Sequence, residues 1–194
     1  TYIRTRNPNR NMLGEAISFL EKGKRTLICS SGMAAITTTY FSLFKNGDHI
    51  VANKNIYGET FDAITKLISK FGVTATFVDF SDLDAVEKAM QDNTKMIYTE
   101  VASNPTDHLA DIEALAKIAH AHGALMMVDN TFTTPFAIKP LTLGADIVIS
   151  SMTKFLNGHS DALGGSITVN SNELFEQIHE MRMLTGTSGA PMTS

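Results

Sequence analysis

ALMMVDNTF, residues 124–132, and DIVISSMTKFLNGHSDALGG, residues 146–165, decide how this chain is read. Each opens, within a residue or two, on a short apolar run of the kind found in strands covered on both faces. Each run also ends in residues that carry chemistry. Asp129 closes the first, and Ser151, Thr153 and Lys154 lie at and just beyond the end of the second. Open α/β sheets bind ligands outside the carboxyl ends of their strands. The pattern therefore predicts both groups on one sheet edge.

The rest of the chain fits the same architecture. Residues 11–22 predict a helix with Met12, Ala16, Phe19 and Leu20 on one face and Gly23 as its stop. Ser30-Ser31-Gly32 leads into a second helix, MAAITTTYFSLF, which ends near Asn46-Gly47. DHIVAN, VTATFVDF and KMIYTEV read as strands, separated by helical segments at 58–70, closed by Gly72, and at DLDAVEKAM. Asp111 is placed to N-cap IEALAKIAHAH, with Gly123 at its end. GGSITVN is a further strand, and 172–184 a closing helix. Strands alternating with helices predict an α/β fold with a mostly parallel sheet between helices.

The chain has 194 residues, enough for one sizeable domain, and a hydrophobic share of 43% argues against disorder. A net charge of -4 gives no electrostatic reason to expect nucleic acid. Cys29 is the single cysteine, which excludes an intrachain disulfide and suits a reducing compartment. No stretch reads as a membrane span. The opening TYIRTRNPNR and the closing TSGAPMTS both read as cut ends of a longer chain. No phosphate-binding GxxxxGK[ST] and no dinucleotide GxGxxG is present.

Lys154 suits a Schiff-base lysine, because its amine becomes nucleophilic once desolvation or a nearby cation lowers its pKa. Most lysines are instead solvated surface groups. Ser151 and Thr153 offer hydroxyls to a phosphate, and Asp129 could hold a pyridine nitrogen protonated, which together suit pyridoxal 5'-phosphate. The alternative for Asp129 is a capping role in the next loop. Ser31-Gly32-Met33-Ala34 opens a helix whose first amides could bind an anion, though Ser31 could equally be an ordinary cap. Tyr57 in NIYGET could stack on a planar ring, or be a loop tyrosine. Asn104 in ASNPT could bond a ring hydroxyl, or form an Asn-Pro turn. His120 and His122 are spaced onto different helix faces, and His159 with Asp161 offers too few ligands, so no metal is expected.

In order, YIRTRNP, SSGMAAI, YGET, SNPT, DNTFTTP, PLTLGAD and SSMTKFLNGHSDALGG resemble the Cys/Met-metabolism family of pyridoxal-phosphate enzymes, across nearly the whole chain. The resemblance implies a fold-type-I, aspartate-aminotransferase-like large domain over residues 1–194, truncated at both ends, with the small C-terminal domain absent. It implies that Lys154 carries the cofactor and shuttles protons, and that Asp129 pairs with the ring nitrogen. Gly32 and Met33 amides and the Ser151 and Thr153 hydroxyls would hold the phosphate. Tyr57 would stack on the ring and act in acid/base steps, and Asn104 would contact the ring hydroxyl. Tyr2 and Arg4 would reach the phosphate of a partner subunit in a homo-oligomer, expected to be a tetramer, where the arginine fork suits phosphate oxygens.

Some positions depart from the family pattern. Phe155 follows the lysine where tyrosine is usual, Asn53-Lys54-Asn55 stands where an acidic residue is common, and Glu59 stands where methionine γ-lyases carry cysteine. The arginine that binds the substrate carboxylate in this family belongs to the small domain. The implied activity is cytoplasmic β/γ-elimination or γ-replacement on cystathionine, methionine or O-acylhomoserine. A non-catalytic cofactor- or partner-binding relative and an aminotransferase-like enzyme are the alternatives.

Overall fold

The computed structural model describes residues 2–103 and 108–193. Helix α1 (Pro8–Glu21) leads to strand β1 (Arg25–Cys29), α2 (Gly32–Leu43) and β2 (His49–Asn53). Helix α3 (Gly58–Asp62) continues as a π turn and a 3-10 turn to Phe71. Then come β3 (Thr74–Val78), α4 (Leu83–Ala89), β4 (Thr94–Glu100) and α5 (Ile112–Ala121). β5 (Leu125–Asp129), α6 (Thr134–Ala137), β6 (Ile147–Ser151), β7 (Gly165–Val169) and α7 (Asn172–Thr185) complete the order. Among the described residues no helix is long and apolar enough to cross a membrane.

The strands form one sheet in the order β1-β7-β6-β5-β4-β2-β3. From β6 to β3 every pairing is parallel, and β7 runs antiparallel to both β6 and β1. Successive strand side chains point to opposite faces, and here both faces are covered. Tyr98, Met127 and Ile149 join one core with Ile36 and Tyr40 of α2. Their neighbours Ile97, Met126, Val128 and Val148 join another with Leu115 and Ala119 of α5. This two-sided burial is why the strands read as continuous apolar runs rather than alternating ones.

The expected α/β architecture is present, with four local corrections. Strand β1, RTLIC, was not anticipated: its outer end is exposed and it lies between a helix stop and a cap, so it carries little pattern of its own. Helix α1 begins earlier than expected, because Asn7 accepts the Asn9 and Arg10 amides and Pro8 occupies the first turn. Its buried face is also the opposite one. Met12, Ala16, Phe19 and Leu20 are exposed, while Gly14, Ile17, Ser18 and Glu21 are buried. A side-chain carbon on Gly14 would sit 2.9 Å from the Thr26 carbonyl oxygen, so the helix is pressed onto β1 by its small and polar face. Lys22, at φ 57°, makes the left-handed turn that ends α1. Gly23 serves close packing instead, since a carbon there would fall 2.3 Å from Thr168 Cγ2.

Candidate active site

Strands β5 and β6 are parallel neighbours, with Asp129 in register with Ile149. Their carboxyl ends therefore open on the same side, and Asp129, Ser151, Thr153 and Lys154 line one cavity of about 270 Å³. Gly32, Met33 and Tyr57 line it too. Seven of the ten residues singled out from the sequence thus converge.

Helix α2 meets the cavity with its N-terminus. The Ser31 side chain accepts a hydrogen bond from the Ala34 amide at 3.0 Å, so Ser31 is a helix cap. The amides of Gly32 and Met33 belong to the first turn, where helical N–H groups have no partner within the helix. Gly32 permits the contact with β6, since a Cβ there would lie 2.7 Å from Ser151 Cβ. Ser151 is in register with Gly165, the first residue of β7. A Cβ on Gly165 would lie 2.0 Å from the Ser31 carbonyl oxygen. The start of α2 is thus wedged between two strand ends.

Thr131 joins the two halves of the site. Its amide donates to Asp129 Oδ1 at 2.9 Å, and its hydroxyl oxygen accepts from the Ser151 amide at 2.8 Å. Desolvation raises the pKa of the Asp129 carboxyl, and the Thr131 hydroxyl and amide only partly oppose this. A carboxylate in that setting favours a cationic partner at the cavity floor. The Thr153 hydroxyl and the Gly164 backbone bond each other, at 3.1 Å from the Gly164 amide and 3.3 Å to its carbonyl.

Lys154 sits in the turn after β6, its amide donating to the Ser151 carbonyl at 3.2 Å. The residue is exposed at the rim of the cavity. Beside it, the Phe155 ring meets Phe132 edge-on at 5.7 Å between centroids. Tyr57 immediately precedes α3 and is 49% exposed. The Glu59 carboxylate raises the pKa of its hydroxyl, chiefly by hydrogen bonding.

Tyr2 and Arg4 are exposed and do not line the cavity. The Arg4 guanidinium lies 5.3 Å from the Tyr2 ring centre and donates to the Met183 carbonyl. Asn104 lies outside the described residues. His120 and His122 each pair with a carboxylate, Asp146 and Glu87 respectively. Two site residues, Thr131 and Glu100, were missed by the sequence reading. Glu100 lines the cavity, is buried, and accepts the Tyr57 amide at 2.6 Å. It closes an apolar strand just as Asp129 does, so the same signal could have found it.

A larger cleft of about 610 Å³ lies between α1, β1 and α7, lined by Arg10, Arg25 and Arg182 among others. It contains none of the residues singled out for chemistry. The smaller cavity is the one with amides for an anion, a half-buried carboxylate for a ring nitrogen, and a lysine at its rim. That donor set fits a phosphorylated pyridine aldehyde such as pyridoxal 5'-phosphate.

Comparison with known proteins agrees. The family model described as Cys/Met metabolism PLP-dependent enzyme matches residues 1–194. The chain belongs to that family. It is 46% identical over 193 residues to a cystathionine gamma-lyase of Bacillus subtilis (strain 168), covering 100% of this chain and 51% of that protein. It is 46% identical over 178 residues to an L-methionine gamma-lyase of Fusobacterium nucleatum subsp. polymorphum, covering 91% of this chain and 45% of that one. The solved cystathionine gamma-lyase from Lactobacillus plantarum, complexed with L-serine, superposes with a TM-score of 0.97 at 44% identity, over 99% of this chain and 50% of that one. The chain thus spans about half the length of these members of the Cys/Met metabolism family.

Proposed function

We propose that the full-length protein is a pyridoxal-phosphate enzyme that eliminates or replaces the β or γ substituent of a sulfur amino acid or O-acylhomoserine. The observation that carries this reading is the convergence of Asp129, Lys154 and the first turn of α2 on one cavity. When bound, the cofactor supplies an electron sink for the charge left at the substrate's α-carbon.

The chain's own residues have distinct tasks. The Gly32 and Met33 amides, with the Ser151 and Thr153 hydroxyls, bind the phosphate. Asp129 holds the ring nitrogen protonated, and its half-buried carboxylate gains a cationic partner in return. Lys154 anchors the cofactor through its Nζ and then moves a proton at the substrate's α-carbon. Tyr57 covers the ring face and transfers a proton near the leaving group, and Asn104 bonds the ring hydroxyl. Tyr2 and Arg4 serve the phosphate of a partner subunit, which makes a homo-oligomer, here assigned as a tetramer, the working form. Their exposure in this chain supports that assignment. Residues 1–194 are read as the large domain, and the substrate-carboxylate arginine is assigned to the remaining half. A cytoplasmic setting suits the buried, unpaired Cys29.

The test is the full-length protein and its Lys154→Ala variant, loaded with cofactor. The wild type is expected to show the visible absorbance of lysine-bound cofactor and to release a keto acid or a thiol-exchange product. A variant that keeps both properties overturns the assignment. Accumulation of pyridoxamine phosphate during turnover would point to an aminotransferase.

A further inference from the structure

Glu21, the last residue of α1, is a buried carboxyl group with no part in the chemistry above. It is 1% exposed, and its two oxygens face the side-chain amide of Asn130, at 3.0 and 3.3 Å. Asn130 follows Asp129 directly and is itself fully buried. Its amide nitrogen also donates to the Ile138 carbonyl at 3.1 Å, and its oxygen accepts from the Thr133 hydroxyl at 2.6 Å. Its own backbone amide donates to the Ile149 carbonyl on β6 at 2.8 Å. Every polar group of Asn130 is thus engaged, and among the described residues Glu21 is the only partner of its side chain from outside the segment between β5 and β6.

The turn that Asn130 holds is strained. Thr134, a β-branched residue, sits at φ 56°, and its amide donates to the Asn130 carbonyl at 2.9 Å. Such a backbone persists only where its surroundings over-determine it. Asp129 stands at the mouth of this turn and receives the Thr131 amide from within it. The burial of polar Glu21 rather than the apolar Met12 face of α1 places the clamp against the turn.

We propose that Glu21 is a positioning residue for the Asp129 carboxylate, acting through Asn130 to fix the turn from which that carboxylate meets the cofactor. The inference rests on the role assigned to Asp129 above. Lys139 is the charged group that acts on Glu21, favouring its ionised form.

The experiment uses the full-length protein and measures cofactor dissociation constant, apoprotein melting temperature and the pH dependence of the bound cofactor's visible band. Glu21→Met keeps the volume but offers Asn130 no oxygen. It is expected to weaken cofactor binding about tenfold and to displace the pH profile. Glu21→Gln keeps an acceptor and is expected to stay within about threefold of wild type. Equal affinity and an unmoved profile in Glu21→Met overturn the proposal, even if the apoprotein melts earlier. If Glu21→Met does not fold, Thr133→Val loosens Asn130 from the other side and must displace the same profile for the proposal to stand. Asp129→Ala is the control. If it leaves binding unchanged, the role of Asp129 fails. If it abolishes binding while Glu21→Met does not weaken it, only the role of Glu21 fails.

Discussion

Glu100 and Asp129 are register partners at the carboxyl ends of adjacent parallel strands, β4 and β5. The two acids leave the sheet side by side yet have different neighbours. Asp129 is met by the Thr131 amide, and Glu100 by the amide of Tyr57. Glu100 thereby ties the tyrosine's backbone to the sheet. A hydrogen bond to a charged acceptor contributes about 1.5–3 kcal/mol. Glu100→Ala is expected to loosen Tyr57 and weaken cofactor binding about tenfold, with Glu100→Gln in between. Titration of the apoprotein with pyridoxal phosphate checks this, and equal binding by Glu100→Ala rejects it.

Asp129→Asn should separate stability from binding. The folded pKa of this acid is raised, so its contribution to stability is greatest below the unfolded pKa and is lost as pH rises through the folded one. At neutral pH the cofactor-free Asn variant is therefore expected to melt no lower than wild type. The same variant should lose at least about a hundredfold in turnover, because the carboxylate proposed to hold the ring nitrogen protonated is gone. Melting curves of the apoproteins and turnover of the loaded enzymes are the two measurements.

Glu21 predicts a pH dependence of stability. Burial, opposed by Asn130 and Lys139, pushes its carboxyl up to about 7 from an ordinary 4.5. The folded protein holds this proton more tightly than the unfolded chain does. Stability is then fully present below about pH 4.5 and declines until about pH 7, by on the order of 3 kcal/mol. Denaturant unfolding of wild type across pH 4.5–8 should show this slope, and Glu21→Gln should flatten it. An unchanged slope in the variant would assign it to other groups.

Gly32→Ala and Gly165→Ala test the wedge at the start of α2. The first brings a carbon to 2.7 Å from Ser151 Cβ, and the second to 2.0 Å from a backbone oxygen. Gly32→Ala is expected to cost about 1–3 kcal/mol, and Gly165→Ala at least as much, because a backbone oxygen cannot rotate away. Both should also release phosphate from the cavity, seen as weaker inhibition of cofactor binding by inorganic phosphate.

The strand ends were legible in the sequence because a charged or hydroxyl residue after an apolar run has few places to go. Asp129, Ser151 and Lys154 were found that way, and Glu100 could have been. The face of α1 was not legible. Phe19 and Leu20 suggested an apolar contact, but the face turned to β1 carries Gly14, Ile17 and Ser18, with Gly14 at the point of closest approach. Strand β1 itself was hidden because its partner β7 is distant in sequence and its short run gives no period to follow. The expectation for Tyr2 and Arg4 rested on the resemblance alone, since among the described residues nothing within one chain brings them to the cavity.

The pairing of Ser151 with Gly165 has a consequence for how this scaffold can diverge. The chain departs from the sheet after one partner and re-enters at the other, so residues 152–164 form an excursion with both feet on the same rung. Closing such a loop depends only weakly on its length. Insertions or replacements around Phe155 and Leu163 can therefore reshape the rim beside Lys154 while β6, β7 and the start of α2 keep their places.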